Sequence, residues 1–375
     1  MTVALAGIGL IVLAIVANQE WLDRHILPSF FMTRRWYVFL ESSARIAMAV
    51  CGLGLVLVAR PRLGRWTAER PASVLTTIVA VVLAVVAAHL VLTWTRPSQS
   101  WLLAGIEPLR RHDARLGWTF VRGRTGHKTV GGRAIDFTFD RAGYRVRTPE
   151  EPVDESRPTI VFAGESVMAG EGLHWDETIP AQAGALLGVQ TANLAVHGYG
   201  TDQSYLRLEA ELPRFQKPAA VVMIFMTALF GRNLDDNRPR LGPGLVWLPA
   251  VEHGRLASLG RVIVPFRRDA TVERGVVVTR DVLGATLALA KSRGATPLIV
   301  VPQFNREDAF ERALRRRVLD DANLPYVFVE VEDDWRLPGD VHPNATTARQ
   351  IAIAIADRLR GTWPATSASR APGAS

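Results

Sequence analysis

Three uncharged apolar segments fill most of the first hundred residues of this chain. They extend from Thr2 to Gln19, from Ile46 to Ala59 and from Pro71 to Thr95. The third is long enough to cross about 30 Å of hydrocarbon as a helix, whereas the second needs flanking interfacial residues to do so. We therefore expect residues 1–98 to form a membrane anchor. Its three transmembrane helices are predicted at about residues 2–19, 40–60 and 71–95.

The charges between these segments predict the orientation of the chain. The loop from Arg60 to Arg70 contains four arginines and one acidic residue, Glu69. Since basic loops stay on the cytoplasmic side, everything after Trp94 should lie outside the cell membrane. The first segment also resembles the apolar part of a signal peptide, but no Lys or Arg precedes it, which favours an uncleaved helix. The prediction is a multi-pass membrane protein with an extracytoplasmic domain.

Charge and cysteine content exclude several classes of protein. The net charge of +8 comes almost wholly from scattered arginines, and no zinc-finger or RNP pattern accompanies them, so we expect no nucleic-acid partner. The single cysteine, Cys51, excludes an intrachain disulfide and a cysteine-rich metal site. The histidines of the soluble part lack a second ligand at metal-binding spacing, and no Gly-rich phosphate loop is present. We therefore predict neither a metal nor a cofactor.

After the anchor, the sequence alternates between apolar strands and amphipathic helices. A polar, Gly-rich run-in segment over residues 99–157 is predicted to form short strands. The predicted strands that follow are Thr159–Ala163, Thr191–Val196, Ala219–Met226, Thr296–Val301 and Tyr326–Val331. The predicted helices are Ile179–Leu187, Gln203–Leu212, Asp281–Arg293, Asp308–Leu319 and Ala345–Leu359. Continuous apolar strands separated by helices predict a parallel α/β sheet that is covered on both faces.

Two segments interrupt or end this α/β domain, which we place at residues 158–363. Asn237–Val276 is rich in Pro, Gly and Arg and is predicted to be an insertion. Residues 364–375 are of low complexity and are predicted to be disordered. The length therefore corresponds to an anchor plus one α/β domain.

Polar residues follow three of the predicted strands, where the carboxyl ends of parallel strands form ligand sites. Ser166 comes directly after the first strand and suits a nucleophile if a base lies nearby. Gly198 follows the second strand, and without a Cβ its N–H can approach a ligand oxygen. Asp340 and His342 precede the last helix, and side chains two residues apart in an extended segment face the same way. A carboxylate placed there fixes the tautomer of the histidine and stabilises the imidazolium.

Together these segments resemble the SGNH (GDSL-like) hydrolase family. The resemblance extends over about Leu116–Leu359 and rests on four blocks in order, FDRAGYRV, FAGESVMAGEGL, NLAVHGYGTDQ and DVHPNATTARQIA. It implies a three-layer α/β/α flavodoxin-like fold, here preceded by transmembrane helices, and ester hydrolysis or acyl transfer through a Ser-His-Asp triad. Carried over by position, Ser166 is the nucleophile, His342 the base and Asp340 its orienting carboxylate. The N–H groups of Ser166 and Gly198 would form part of the oxyanion hole.

The chain departs from the family pattern at three points. Glu165 stands where the family has an aspartate before the serine, and Asp340 and His342 are two residues apart rather than the commoner three. The third block, which normally supplies an oxyanion asparagine just after the third strand, is irregular. Asn233 is the best candidate for that asparagine although it lies several residues late, and Thr227 is the nearer substitute. Losing one such donor costs roughly 10²–10³ in rate.

Three functional interpretations fit these residues. The first is a membrane-anchored, outward-facing serine esterase that acts on acyl esters of envelope glycans or lipids. The second is an O-acyltransferase that uses the same triad to acylate an extracytoplasmic polysaccharide, bound in a groove of insertion arginines and Trp247. The third is a non-catalytic binding protein on the same fold. Thr227, His197 and Trp247 are the predicted substrate-binding residues, and the oligomeric state stays open.

Overall fold

The chain divides into two compact units. The computed structural model describes residues 2–27, 34–69, 71–94, 109–254, 258, 260–261, 265–331 and 334–362. The first unit comprises Met1–Leu102 and Glu252–Val272, and the second comprises Leu103–Val251 and Glu273–Ser375. The predicted disordered tail, 364–375, lies outside the described residues.

The secondary structure described in the first unit is helical. They are α1 (Thr2–Val16), α2 (Gln19–His25), α3 (Arg34–Gly54), α4 (Arg60–Glu69) and α5 (Pro71–Trp94), and a π-helical stretch at Leu55–Ala59 joins α3 to α4. Among the described residues, one helix, Arg34–Arg62, is long and apolar enough to cross a membrane. The pair Val3–Val16 and Gln19–His25, bent by 90°, meets that criterion only when the two are taken together. The expected three-span topology therefore stays a prediction.

Two of these helices, α1 and α3, approach each other closely at a pair of glycines. A Cβ on Gly52 would lie 2.6 Å from the carbonyl oxygen of Gly7, and a Cβ on Gly7 would lie 2.7 Å from that of Gly52. Only glycine allows the two backbones to approach this closely at Gly7 and Gly52. Such small-residue contacts are typical of helices that associate within a bilayer, where close backbone packing replaces the hydrophobic effect.

The run-in segment forms five short strands. A hairpin consists of β1 (Arg110–Asp113) and β2 (Gly117–Phe120), and β3 (Thr125–Val130), β4 (Arg133–Phe139) and β5 (Arg145–Val146) follow. The strands β3, β4 and β5 pair antiparallel in sequence, and β5 then pairs with the main sheet through Arg145 and Asn193. The sequence predicts short strands here, but it does not predict that three of them join the central sheet.

The centre of the second unit is an eight-stranded sheet. Its parallel part consists of β6 (Pro158–Ala163), β7 (Gln190–Asn193), β8 (Lys217–Ile224), β11 (Thr296–Gln303) and β12 (Tyr326–Glu330). Their spatial order is β12-β11-β8-β6-β7. When only these five strands are numbered along the chain, this is the 2-1-3-4-5 order of flavodoxin-like folds. The predicted α/β fold is confirmed. Two further strands, β9 (Arg240–Leu241) and β10 (Trp247–Leu248), pair separately.

Helices cover both faces of this sheet. The chain contains α6 (Ser166–Ala169), α7 (Ile179–Leu187), α8 (Thr201–Glu211), α9 (Asp269–Ser292), α10 (Ala309–Arg315) and α11 (Ala345–Thr362). Helices α7 and α11 pack against each other. The chain moves from β6 to β7 in one direction across the sheet and then to β8, β11 and β12 in the other. Because the crossovers are right-handed, α8, α9 and α10 lie on the face opposite to α7. The predicted insertion, 237–276, ends inside α9, which begins twelve residues before the predicted Asp281.

The second parallel strand is shorter than predicted. It ends at Asn193, whereas the sequence predicts a strand to Val196. The buried Asn193 side chain accepts a hydrogen bond from Ala195 N at 3.1 Å and donates one to the Met168 carbonyl at 3.1 Å. Beyond Asn193 the chain stays beside the end of β6, because Leu194 N donates to the Phe162 carbonyl at 2.8 Å and Val196 N to the Gly164 carbonyl at 3.1 Å.

Candidate active site

Ser166 lies at the carboxyl end of β6 and is the first residue of the short helix α6. The preceding residue, Glu165, caps this helix, because its Oε2 accepts a hydrogen bond from Val167 N at 3.1 Å. The helix ends one turn later at Gly170, which has φ of +79°, in the left-handed region that glycine favours. Ser166 is thus held on a sharp strand-to-helix turn and is only 2% exposed.

His342 and Asp340 meet Ser166 from the loop before α11. The Oδ1 of Asp340 lies 2.6 Å from His342 Nδ1 and also accepts a hydrogen bond from His342 N at 2.9 Å. The other ring nitrogen, Nε2, lies 3.0 Å from Ser166 Oγ. With the proton on Nδ1, the lone pair of Nε2 can take the serine proton, which is the arrangement of a serine-hydrolase triad. The structure brings all three predicted residues together.

The loop that carries His342 is fixed at both ends. His342 O accepts a hydrogen bond from Leu337 N at 2.8 Å, and Asn344 caps α11 by accepting one from Thr347 N at 2.9 Å. The amide of Asn344 also donates to the Asp334 carbonyl at 2.7 Å. The predicted helix cap at Asn344 is therefore confirmed. These bonds hold the imidazole in place before any substrate arrives.

Glu165 offers the serine hydroxyl a second acceptor. Its Oε2 lies 2.7 Å from Ser166 Oγ, closer than His342 Nε2. Its other oxygen, Oε1, is buried and has no hydrogen-bond partner among the described residues. The Arg232 guanidinium lies 3.6 Å from Oε2, and burial, opposed by Glu165, lowers the pKa of Arg232. The hydroxyl has one proton, so Glu165 and His342 compete for it.

The backbone at Gly198 is held by contacts to its own carbonyl and to that of His197. Gly198 has φ of +84°, and a Cβ there would lie 3.2 Å from the Trp118 ring. The Trp118 indole donates to the His197 carbonyl at 2.9 Å, and Arg238 donates to the Gly198 carbonyl at 2.8 Å. With its carbonyl held in this way, the N–H of Gly198 stays unbonded within the described part of the chain, as does that of Ser166. Both remain free to donate to a ligand.

The structure does not bring Asn233 to this site as an oxyanion donor. Asn233 is buried at the end of a 3-10 segment, Thr227–Leu234, and its Oδ1 accepts a hydrogen bond from Thr201 N at 2.8 Å. Its amide nitrogen donates to Thr201 Oγ1 at 3.1 Å and to Thr279 Oγ1 at 2.8 Å. Both amide hydrogens are therefore used to join α8 and α9. The expectation that Asn233 supplies the family's oxyanion asparagine is not supported by this geometry.

We expect Asn233→Ala to affect stability much more than catalysis. The substitution leaves Thr201 N without its acceptor, which should lower the free energy of unfolding by about 1–3 kcal/mol. The turnover of an ester substrate should change less than threefold. Urea denaturation and steady-state kinetics of the same preparation measure the two effects. A loss of turnover of roughly two orders of magnitude with unchanged stability would restore the oxyanion role.

The three predicted substrate-binding residues have different surroundings. Thr227 is buried at the start of the 3-10 segment that follows β8. Trp247 is 40% exposed on β10, and its indole donates to the Arg115 carbonyl at 3.0 Å. Neither has a hydrogen bond to the triad. His197 does lie beside it, with its ring centroid 5.8 Å from that of His342.

Arg238, one of the arginines of the insertion, is not available to line the predicted polysaccharide groove. Arg238 is only 7% exposed, and besides Gly198 O it contacts Asp235 at 3.0 Å. It therefore acts within the fold rather than on a polysaccharide. Such long-range contacts are not visible in the sequence, where Arg238 is one arginine among several in a Pro- and Gly-rich stretch.

A buried arginine that the sequence did not single out organises the turn after α6. Arg145 is 2% exposed, and its guanidinium donates to the carbonyls of Ala169, Gly170 and Leu173 at 2.6–2.7 Å. It also stacks on the Phe137 ring at 4.2 Å. Burial lowers the pKa of Arg145 to about 10, against an opposing effect of Glu171, so it remains charged at neutral pH. Arg145 thereby links the run-in strands to the turn behind Ser166.

Comparison with known proteins yields structural likeness only. No family model matches the chain, and no curated protein matches it. A GDSL-like lipase from Bacteroides thetaiotaomicron is 16% identical, with 56% of this chain and 92% of that chain covered and a TM-score of 0.33. An aryl esterase of M. smegmatis is 12% identical, with 54% and 99% covered and a TM-score of 0.34. An acetyl xylan esterase from Butyrivibrio proteoclasticus is 12% identical, with 56% and 65% covered and a TM-score of 0.35.

These solved structures belong to the class that the sequence blocks resemble, GDSL-type lipolytic proteins and esterases. At TM-scores of this size, the likeness carries no argument about activity.

Proposed function

We propose that this protein is a serine ester hydrolase of the SGNH type. The observation that supports it most strongly is the continuous series Asp340, His342 and Ser166, with contacts of 2.6 Å and 3.0 Å. The three residues come from two separate loops at the carboxyl end of a parallel sheet, where catalytic groups of open α/β folds are placed. Glu165 and Asn344 each cap a helix, and that structural role is enough to account for them. No such role accounts for the contact between His342 and Ser166.

In the first half of the reaction, Ser166 Oγ attacks the carbonyl carbon of the ester while its proton passes to His342 Nε2. The new imidazolium is stabilised by Asp340 at Nδ1. The negative oxygen of the tetrahedral intermediate accepts hydrogen bonds from the N–H groups of Ser166 and Gly198. The carbon–oxygen bond to the alcohol then breaks, and Nε2 returns the proton to the leaving oxygen.

In the second half, water attacks the acyl-enzyme while His342 Nε2 takes a proton from it. The bond between the acyl carbon and Ser166 Oγ then breaks, Nε2 returns the proton to Oγ, and the carboxylic acid is released. With Asn233 engaged elsewhere, two backbone donors hold the oxyanion. One donor fewer corresponds to roughly 10²–10³ in rate, so we expect modest turnover compared with an enzyme that has three.

The finer proposal is a membrane-anchored esterase that faces outward and acts on acyl esters of envelope glycans or lipids. The helix Arg34–Arg62 and the close glycine contact between α1 and α3 support an anchor in the bilayer. The arginines of the Arg60–Arg70 loop favour a cytoplasmic position for that loop, which would place the second unit outside. Fusions of alkaline phosphatase after residue 27, residue 66 and residue 109 test this topology, and activity at residue 66 would contradict it.

The proposed activity can be tested with the full chain in detergent micelles. We choose p-nitrophenyl acetate as the substrate, because its acyl group is short and its hydrolysis releases coloured p-nitrophenol. The wild type should release p-nitrophenol, and a fluorophosphonate should modify Ser166 alone, as located by peptide mass spectrometry. No turnover combined with no modification of Ser166 would favour a non-catalytic binding protein.

A further inference from the structure

A second carboxylate–histidine pair lies beside the triad. Glu171 Oε2 is 3.2 Å from His197 Nδ1, and Glu171 Oε1 accepts a hydrogen bond from the Lys128 ammonium. The Glu171 side chain is 5% exposed, whereas that of His197 is 27% exposed. Glu171 is therefore buried, and His197 is partly accessible to solvent.

Glu171 fixes the orientation and the tautomer of His197. Burial raises the pKa of Glu171, but His197 and Lys128 outweigh burial, and the pKa falls below its usual range. The carboxylate is therefore ionised and accepts the hydrogen of Nδ1. In the tautomer with its hydrogen on Nδ1, His197 has a lone pair on Nε2, and Nε2 has no hydrogen bond in the described part of the chain. A partly exposed acceptor without a partner is suited to a hydroxyl donor.

The position of His197 places this acceptor beside the reacting atoms. The ring centroids of His197 and His342 are 5.8 Å apart, and His342 contacts Ser166. The next residue, Gly198, carries the proposed oxyanion N–H. The backbone of His197 is held by the Trp118 indole at 2.9 Å, so the side chain projects from a fixed point. The triad itself has no need of this second pair.

We propose that His197 is a specificity-determining residue, which accepts a hydrogen bond from a hydroxyl group next to the scissile ester, as in a partly acylated polyol or sugar. Glu171 and Lys128 are its positioning residues. This inference rests on the proposed ester hydrolysis and narrows its substrate class. An ester of a simple hydrocarbon alcohol leaves Nε2 without a partner, so the site should discriminate against it.

Two acetates that carry a hydroxyl or a methyl group at the same position test the inference. We compare kcat/KM for 2-hydroxyethyl acetate and for propyl acetate, using the full chain in detergent. The wild type should prefer the hydroxylated ester by about tenfold, the net contribution of one hydrogen bond, mainly through a lower KM. In His197→Ala the ratio of the two values should approach one. His127→Ala, which removes an exposed histidine from β3, is the matched control and should keep the wild-type ratio.

His197→Asn separates recognition from a purely structural role. The shorter amide can still donate to Glu171 but lacks a group at the position of Nε2, so its ratio should match that of His197→Ala. Restoration of the wild-type ratio by asparagine, or an equal loss on both esters, would overturn the inference. A wild type without preference would overturn it too, while leaving ester hydrolysis intact. If the wild type hydrolyses neither ester, that result contradicts the proposed ester hydrolysis itself.

Discussion

Replacing Ser166 by alanine is expected to lower kcat for p-nitrophenyl acetate by about 10⁴-fold or more. The substitution removes the nucleophile, and no other hydroxyl contacts His342 Nε2 among the described residues. Only the oxyanion donors and substrate binding then remain to accelerate hydrolysis. Steady-state rates of the full chain in detergent, with the melting temperature of each preparation, provide the measurement.

Two comparisons make this result specific. Ser292→Ala, at the exposed end of α9, should leave the rate unchanged. The double variant Ser166→Ala/His342→Ala should be no slower than Ser166→Ala alone, because the two residues act as one unit. A rate in Ser166→Ala within tenfold of the wild type would show that another group carries the chemistry.

The largest effect on stability is expected from Arg145→Met. Methionine fills part of the space but cannot donate to the carbonyls of Ala169, Gly170 and Leu173. The Gly170 carbonyl keeps a hydrogen bond from Leu173 N at 3.1 Å, whereas those of Ala169 and Leu173 have no other donor among the described residues. Each buried carbonyl left without a donor costs about 1–3 kcal/mol, so we expect a loss of about 2–5 kcal/mol. Urea denaturation followed by tryptophan fluorescence measures this difference.

Arg147→Met is the matched control for that variant. Arg147 lies two residues further along the chain and forms an exposed ion pair with Asp176. Pairs of this kind contribute about 0–1 kcal/mol. Similar losses for the two variants would mean that burial and the three carbonyl contacts do not distinguish Arg145.

The parts of the fold that were predicted correctly depend on local patterns. The run TIVFA and the spacing of Asp340 and His342 concern neighbours along the chain, and both are present as expected. Ser166 and His342 are distant in sequence, and the order of the family blocks together with their strand-end positions predicted that they meet. Their strand-end positions follow from the general geometry of parallel sheets.

The parts that were missed depend on partners far along the chain. Asn233 was judged by its distance from a strand, but its bonds to Thr201 and Thr279 decide its role. Glu171 sits in a Gly-rich turn, and nothing in that turn reveals Lys128 or His197. Nothing in the sequence distinguishes Arg145 from the other arginines of this basic chain. The hydrophobic periodicity of the sequence cannot predict such contacts, because each joins residues that only the tertiary fold brings together.

The antiparallel addition to the sheet has a consequence for the oxyanion loop. Without β5, the strand before Gly198 would be the last strand of the sheet, with one row of backbone groups unpaired. Terminal strands are the ones that fray and recruit other chains. In this protein β3, β4 and β5 continue the sheet, so β7 is an interior strand. The outermost strand on that side is instead a polar ribbon, TGHKTV, three strands away from the strand that leads to Gly198. Local opening at that edge can therefore occur without displacing the donor that holds the oxyanion.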